Sequence, residues 1–218
     1  MTVDAGARPE RLVLVIGTAT DIGKTWVGGQ VLARLRAAGV TVAARKPAQS
    51  FDADDTGPTD AEVLAAATGE APDDVCPPHR NYPIAYAPPM AADALGRPPL
   101  AVAELVEELR WPDPPPTVGW LETVGGPRSP IAHDGDAVDL AELLDPDVVV
   151  LVADAGLGTV NSVRTAVAPF VGRSVVVLLN RYDDGDDLHR RNLDWLRTRQ
   201  GLDVVVDVEA LANRLISE

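Results

Sequence analysis

Residues 11–16 read RLVLVI, a run of apolar positions without polar alternation. Such a run suits a strand covered on both faces, as in a parallel sheet. The signature recurs at 147–153 (DVVVLVA) and 174–179 (SVVVLL), and shorter apolar stretches at 40–45, 117–121 and 202–206 predict three more strands. Between them, helical spacing of apolar positions predicts helices over 24–38 (closed by Gly39), 60–68, 100–110, 138–144, 161–171, 186–200 and 209–216. Residues 69–89 read as irregular, and the proline clusters at 77–78, 88–89, 98–99 and 112–116 punctuate loops. Strands alternating with helices predict an α/β fold, a doubly wound and mostly parallel sheet with helices on both faces. A chain of 218 residues fits one such domain, with the first ten residues expected to be disordered. In such sheets ligands sit at the carboxyl ends of the strands, so the residues just after each strand are where chemistry is sought.

Composition narrows the classes of function. A net charge of −14 argues against nucleic-acid binding and against docking on anionic lipid, since both need a basic surface. The single cysteine, Cys76, excludes an internal disulfide and a zinc site of several thiolates. His79, His133 and His189 show no metal-ligand spacing. No apolar run reaches the ~18 residues of a membrane span, and the first ten residues lack the apolar core of a signal peptide. The expected location is the cytoplasm. Of 19 basic residues 17 are Arg, and the two lysines are Lys24 and Lys46. A lysine is a compact point charge and an arginine a planar fork, so two lysines kept in an Arg-rich chain mark places where the fork does not fit.

Lys24 belongs to GTATDIGKT, residues 17–25, which follows the first strand and opens the first helix. That is the context of a phosphate-binding loop: backbone N–H groups turn inward at a helix N-terminus, the lysine reaches the outer phosphates, and the threonine hydroxyl goes to Mg²⁺. The spacing differs from GxxxxGK[ST], because position 18 is Thr18 and the glycine stands one place earlier, at Gly17. This points away from ordinary small GTPases.

Further motifs follow in order: Lys46-Pro47 with Ser50, Thr59-Asp60-Ala61, Glu122 with Gly125-Gly126, Gly156 to Asn161 (GLGTVN), and Asn180 after a strand. Together with the phosphate loop, over roughly residues 11–185, they resemble the dethiobiotin synthetase family. The resemblance implies a P-loop enzyme that forms a carbamate from 7,8-diaminononanoate and CO₂, phosphorylates it with ATP, and closes a cyclic urea. It implies a homodimer with the diamine near the subunit interface. Catalytic roles fall on Lys24, Lys46, Thr20 and Ser50. Nucleotide contacts fall on Gly17, Thr18, Asp21, Ile22, Gly23, Lys24, Thr25 and Asn180, the last matching an adenine-reading asparagine. Thr25, Asp60 and Glu122 match a Mg²⁺ shell, and hard oxygen ligands suit that ion. Lys46, Ser50, Gly125, Gly126, Gly158, Thr159 and Asn161 match substrate contacts, with the 158–161 N–H groups suited to a distal carboxylate.

The chain departs from the family pattern at Ala19, Thr123, Val124, Met90 and Ser162, all on the substrate side. A related P-loop ligase or amidotransferase acting on another substrate therefore stays open, as does a partitioning-type ATPase or nucleotide switch. Asn180-Arg181-Tyr182-Asp183 also mimics the guanine-reading NKxD pattern. Several site residues have simpler uses: Asp60 and Asn161 suit helix capping, and Ser50 and Asn180 suit loops and turns.

Overall fold

A computed structural model describes residues 8–217. Six strands form the main sheet: β1 Arg11–Gly17, β2 Val42–Arg45, β3 Val118–Glu122, β4 Val148–Asp154, β5 Val175–Asn180 and β6 Asp203–Val205. All pair in parallel, in the order β6-β5-β4-β1-β3-β2. The unbroken apolar character of β1 has a direct cause. Leu12, Leu14 and Ile16 face one core, with Leu121, Leu151 and Leu179. Val13 and Val15 face the other, with Val27, Leu32 and Leu35 of helix Lys24–Ala37, Leu64 of helix Asp60–Thr68, and Leu211 of helix Val208–Ile216. Both faces are covered, so neither alternates. Helix Lys24–Ala37 lies close on β3 because Gly28 has no side chain; a Cβ there would stand 2.9 Å from both Leu64 Cδ2 and Trp120 Nε1.

The chain reverses direction across β1. From β1 it passes to the β2 edge, returns through β3, and then crosses to β4 on the other side. This is the switch point at which open α/β sheets bind ligands.

Several predicted boundaries change for identifiable reasons. The helix expected over 100–110 spans Val102–Glu107, its start fixed where Val102 N donates to Asp134 Oδ1 at 2.8 Å. The helix expected over 161–171 begins earlier, at Thr159, after Gly158 in a left-handed conformation. It ends at Val167, where Pro169 turns the chain into a 3₁₀ segment, Ala168–Phe170. The helix expected over 186–200 is α-helical over Asp187–Asp194 and continues as a π-turn, Trp195–Arg199.

Within the stretch read as irregular, Asn81–Tyr82 pairs in parallel with Gln49–Ser50. A helix, Pro88–Ala94, starts at the Pro-Pro pair that reads as a breaker, because proline is tolerated in a first turn. Of the ten residues expected to be disordered, 1–7 lie outside the described residues. The remaining three are held in place: Arg8 Nη2 donates to the Asp145 carbonyl at 2.8 Å, Pro9 is buried, and Glu10 N donates to Pro116 O at 3.0 Å. Among the described residues no helix is long and apolar enough to cross a membrane.

Candidate active site

The register of the sheet gathers the strand ends. Val15 stands beside Glu122, Gly17 beside Val152, and Asp154 beside Asn180. Residues 18–23 turn outward from Gly17 and feed helix Lys24–Ala37, whose N-cap, Gly23, adopts φ 93° with no side chain capping the first turn. Uncapped N–H groups at a helix start favour an anion. The loop is tied down from below. Gly17 N donates to Gly125 O at 3.1 Å, Thr18 N to Val152 O at 3.0 Å, and Asn180 Nδ2 to Ile22 O at 2.9 Å. A Cβ on Gly23 would stand 2.4 Å from Asn180 Nδ2, so both its conformation and its neighbour require glycine. Lys24 curls back over the loop, its Nζ 3.4 Å from Ala19 O. Burial, reinforced by the charge of Lys46, holds its pKa below the ordinary lysine value.

Beside this loop lies a compact charged cluster. Thr25 Oγ1 lies 2.7 Å from both Asp60 Oδ1 and Glu122 Oε1, which compete for its single proton. Lys46 Nζ lies 2.5 Å from Asp60 Oδ2 and 2.7 Å from Glu122 Oε1. Lys46 is 2% exposed and Glu122 0%. Burial works against the charged ammonium, but Glu122 and Asp60 outweigh it and raise the Lys46 pKa above the ordinary value. Burial likewise works against the Asp60 carboxylate, and Lys46 with its hydrogen bond outweighs that and lowers the pKa.

Asp60 is free for this cluster because it does not cap its helix. Thr59 does, accepting from Glu62 N, while Glu62 reaches back to Thr59 N at 2.7 Å. Glu122 Oε2 is buried and has no hydrogen-bond partner among the described residues. An orphaned carboxylate oxygen beside a threonine hydroxyl and a second carboxylate is a donor set that fits Mg²⁺, which takes one or two carboxylates and completes its shell with water and phosphate. No group of three His, Cys, Asp or Glu that could hold a metal ion occurs among the described residues.

The cluster forms one wall of a cavity of about 670 Å³. Of the residues singled out in the sequence, Thr20, Asp21, Gly23, Lys24, Thr25, Lys46, Ser50, Asp60 and Gly125 line it. Glu122 joins through Lys46 and Thr25. Gly126 abuts the loop backbone, where a Cβ would stand 3.5 Å from Gly17 O. Asn180 reaches the loop through Ile22. Gly158, Thr159 and Asn161 are not among the lining residues. The Thr159 hydroxyl is engaged by the carbonyl of Asp154. Asn161 is exposed inside the first helical turn, so it is not the cap; Gly158 is.

Two residues of this cavity belong to no motif read in the sequence. Gln49 and Ser129 line it, and Ser129 Oγ accepts from Gly126 N at 2.9 Å. Thr123, a departure from the family pattern, is buried and donates to Val15 O at 3.0 Å, which pins the chain after β3. Ser129 sits beside the Gly125-Gly126 turn, the one sequence signal that points to it.

Comparison with known proteins places this architecture. The AAA domain family model matches residues 11–213. An ATP-dependent dethiobiotin synthetase BioD of Rhodococcus jostii (strain RHA1) is 37% identical over 212 residues, covering 94% of this chain and 89% of that protein. One from Haloferax mediterranei is 36% identical over 196 residues, covering 87% and 80%. The chloroplast FtsY of Physcomitrella patens superposes with a TM-score of 0.51 at 18% identity, over 99% of this chain and 68% of that one, a likeness of fold alone. With 37% identity to such a synthetase over 94% of the chain, and with the phosphate loop, Lys46 and the paired carboxylates gathered at the carboxyl ends of the strands, the chain belongs to the dethiobiotin synthetase family.

Proposed function

We propose that this protein closes the ureido ring of dethiobiotin from 7,8-diaminononanoate, CO₂ and ATP. One observation supports the reading most: a buried lysine, two carboxylates and the phosphate-loop threonine meet at one wall of a single cavity. One amine of the substrate adds to CO₂ and loses a proton, giving a carbamate. A carbamate oxygen attacks the γ-phosphorus of ATP, the bond to ADP breaks, and a carbamic–phosphoric anhydride forms. The second amine attacks the carbamate carbon, phosphate leaves, and the ring closes.

Phosphoryl transfer needs positioning and charge neutralisation more than covalent help. The uncapped N–H groups after Gly23 and the Lys24 ammonium hold the triphosphate. Thr25, Asp60 and Glu122 would hold Mg²⁺, which when bound neutralises charge on the phosphates. Lys46 places a fixed positive charge where the carbamate and the transferring phosphoryl meet, and Thr20 and Ser50 orient the diamine. Asn180 contributes by fixing the Ile22 carbonyl as well as by reading the base. In the homodimer that the resemblance implies, a second copy supplies Gly158, Thr159 and Asn161 to the substrate's carboxylate, consistent with their position outside this chain's own cavity. The dependence on ATP fits a cytoplasmic enzyme.

The test is direct: incubation with ATP, Mg²⁺, bicarbonate and 7,8-diaminononanoate, with mass detection of dethiobiotin. ATP hydrolysis without that product, or hydrolysis stimulated by a protein or DNA instead of the diamine, would overturn the reading.

A further inference from the structure

Gln49 sits three residues after Lys46, is 3% exposed, and lines the cavity. Its side chain joins two separate segments. The carbonyl oxygen accepts from Ala61 N at 2.9 Å, and the amide nitrogen donates to Asn81 Oδ1 at 2.7 Å. Chemistry fixes this orientation: a backbone N–H can only donate, so the oxygen must face Ala61 and the NH₂ must face Asn81. Ala61 is the second residue of helix Asp60–Thr68, and its N–H is one of the first-turn donors that have no partner within a helix. Thr59 satisfies Glu62 N and Gln49 satisfies Ala61 N, so the peptide that carries Asp60 is clamped from both sides.

We propose that Gln49 is a positioning residue for the metal-binding carboxylate. It sets the reach of Asp60 toward Thr25 and Lys46, so that the one segment delivering Lys46 also fixes the helix delivering Asp60. The inference rests on the reading of Asp60 as a Mg²⁺ ligand. Outer partners that orient a metal ligand typically change metal affinity by ~10–100-fold when lost.

The test is a double-mutant cycle of Gln49→Met and Asp60→Asn in the full-length protein. Mg²⁺ binding is read by calorimetry with a non-hydrolysable ATP analogue present, and the Mg²⁺ dependence of turnover is read alongside. Methionine keeps the volume of Gln49 and removes both hydrogen bonds. Gln49→Met should weaken Mg²⁺ binding by about tenfold. Turnover at saturating Mg²⁺ should fall far less than Mg²⁺ affinity, because the side-chain oxygen and nitrogen of Gln49 are engaged by Ala61 and Asn81. In the Asp60→Asn background the same change should add less than about twofold, because both substitutions act through one carboxylate. If Gln49→Met does not fold, Gln49→Asn, which withdraws the oxygen by one methylene, should weaken binding in the same direction. Unchanged Mg²⁺ binding in the Gln49 variant beside a clear loss in Asp60→Asn would overturn the positioning role alone. An undiminished Gln49 effect in the Asp60→Asn background would do the same. Unchanged binding in Asp60→Asn would overturn the metal-ligand reading and this inference together.

Discussion

Lys46 and Glu122 form an ion pair at 2.7 Å in which both partners are almost wholly buried, at 2% and 0% exposure. Taking two charges out of water is costly, and removing one partner leaves the other charge buried and uncompensated. Lys46→Met should therefore destabilise the fold by about 3 kcal/mol or more, read by urea denaturation. Lys46→Met combined with Glu122→Gln should recover much of that loss, because a neutral pair needs no counter-charge. A single-mutant loss below about 1 kcal/mol would place water or another cation at Glu122, against the burial described here.

A second ion pair gives a pH-dependent prediction away from the site. Arg80 grips Glu108 with two hydrogen bonds, Nε to Oε2 at 2.8 Å and Nη2 to Oε1 at 2.7 Å. Burial works to raise the Glu108 pKa, but the Arg80 fork, with a smaller contribution from His79, outweighs it and lowers the pKa below 4.5. A carboxylate with a depressed folded pKa contributes stability that is complete above its unfolded pKa and is lost as pH falls through the folded value. Glu108→Gln should lower Tm at pH 7 and narrow its gap to wild type as pH falls below about 4. A gap that stays constant down to pH 3 would show that the pair contributes nothing through its charge.

Cys76 is fully buried, and burial pushes its thiol up to about 12. The thiolate is the nucleophile, so the native protein should resist alkylation at pH 8. One thiol per chain should react once guanidinium unfolds it. Rapid labelling of the native protein would mean that the segment around Cys76, which closes the short helix Pro72–Val75, opens far more often than its packing implies.

The gathering of the candidate site residues is more legible in the sequence than their local frame. The phosphate loop, Lys46, Asp60 and Glu122 each follow a strand or open a helix, and strand ends are positions that periodicity locates well. The rarity of lysine singles out Lys24 and Lys46, which are both buried and line the same cavity. What periodicity could not show is side-chain traffic between segments distant in sequence. Gln49 bonds to Ala61 and Asn81, and nothing in the run KPAQSF distinguishes it from an ordinary loop glutamine. Helix Pro88–Ala94 was hidden for another reason: a Pro-Pro pair is a breaker inside a helix and acceptable at its start, and its meaning depends on what packs behind it. Ala91 and Ala92 are both 0% exposed, so here packing decided. The GLGTVN segment opens a helix as expected, yet its residues lie away from the cavity because β4 places them on the far side of β1.

The two lysines should separate nucleotide binding from chemistry. Lys24 stands at the helix start proposed to receive the triphosphate, so Lys24→Ala should weaken ATP binding and abolish turnover. Lys24→Arg should not rescue it, because the planar fork is bulkier than the ammonium and does not fit the curl toward Ala19 O. Lys46 is set back between Asp60 and Glu122, and in the proposed reaction its charge acts where the transferring phosphoryl develops negative charge. Lys46→Ala, assayed where circular dichroism shows it folded, should cut kcat by ~10²-fold or more, the usual cost of losing one preorganised charge contact. Its ATP affinity should fall far less than that of Lys24→Ala, because a contact realised mainly in the transition state adds little to ground-state binding. Lys46→Arg should stay impaired, since a guanidinium cannot occupy a point shared at 2.5 Å and 2.7 Å by two carboxylates without displacing one of them. Near-normal turnover in folded Lys46→Ala would make the lysine a structural counter-ion for Glu122, and the proposed ring-closing chemistry would lose its charge-stabilising group.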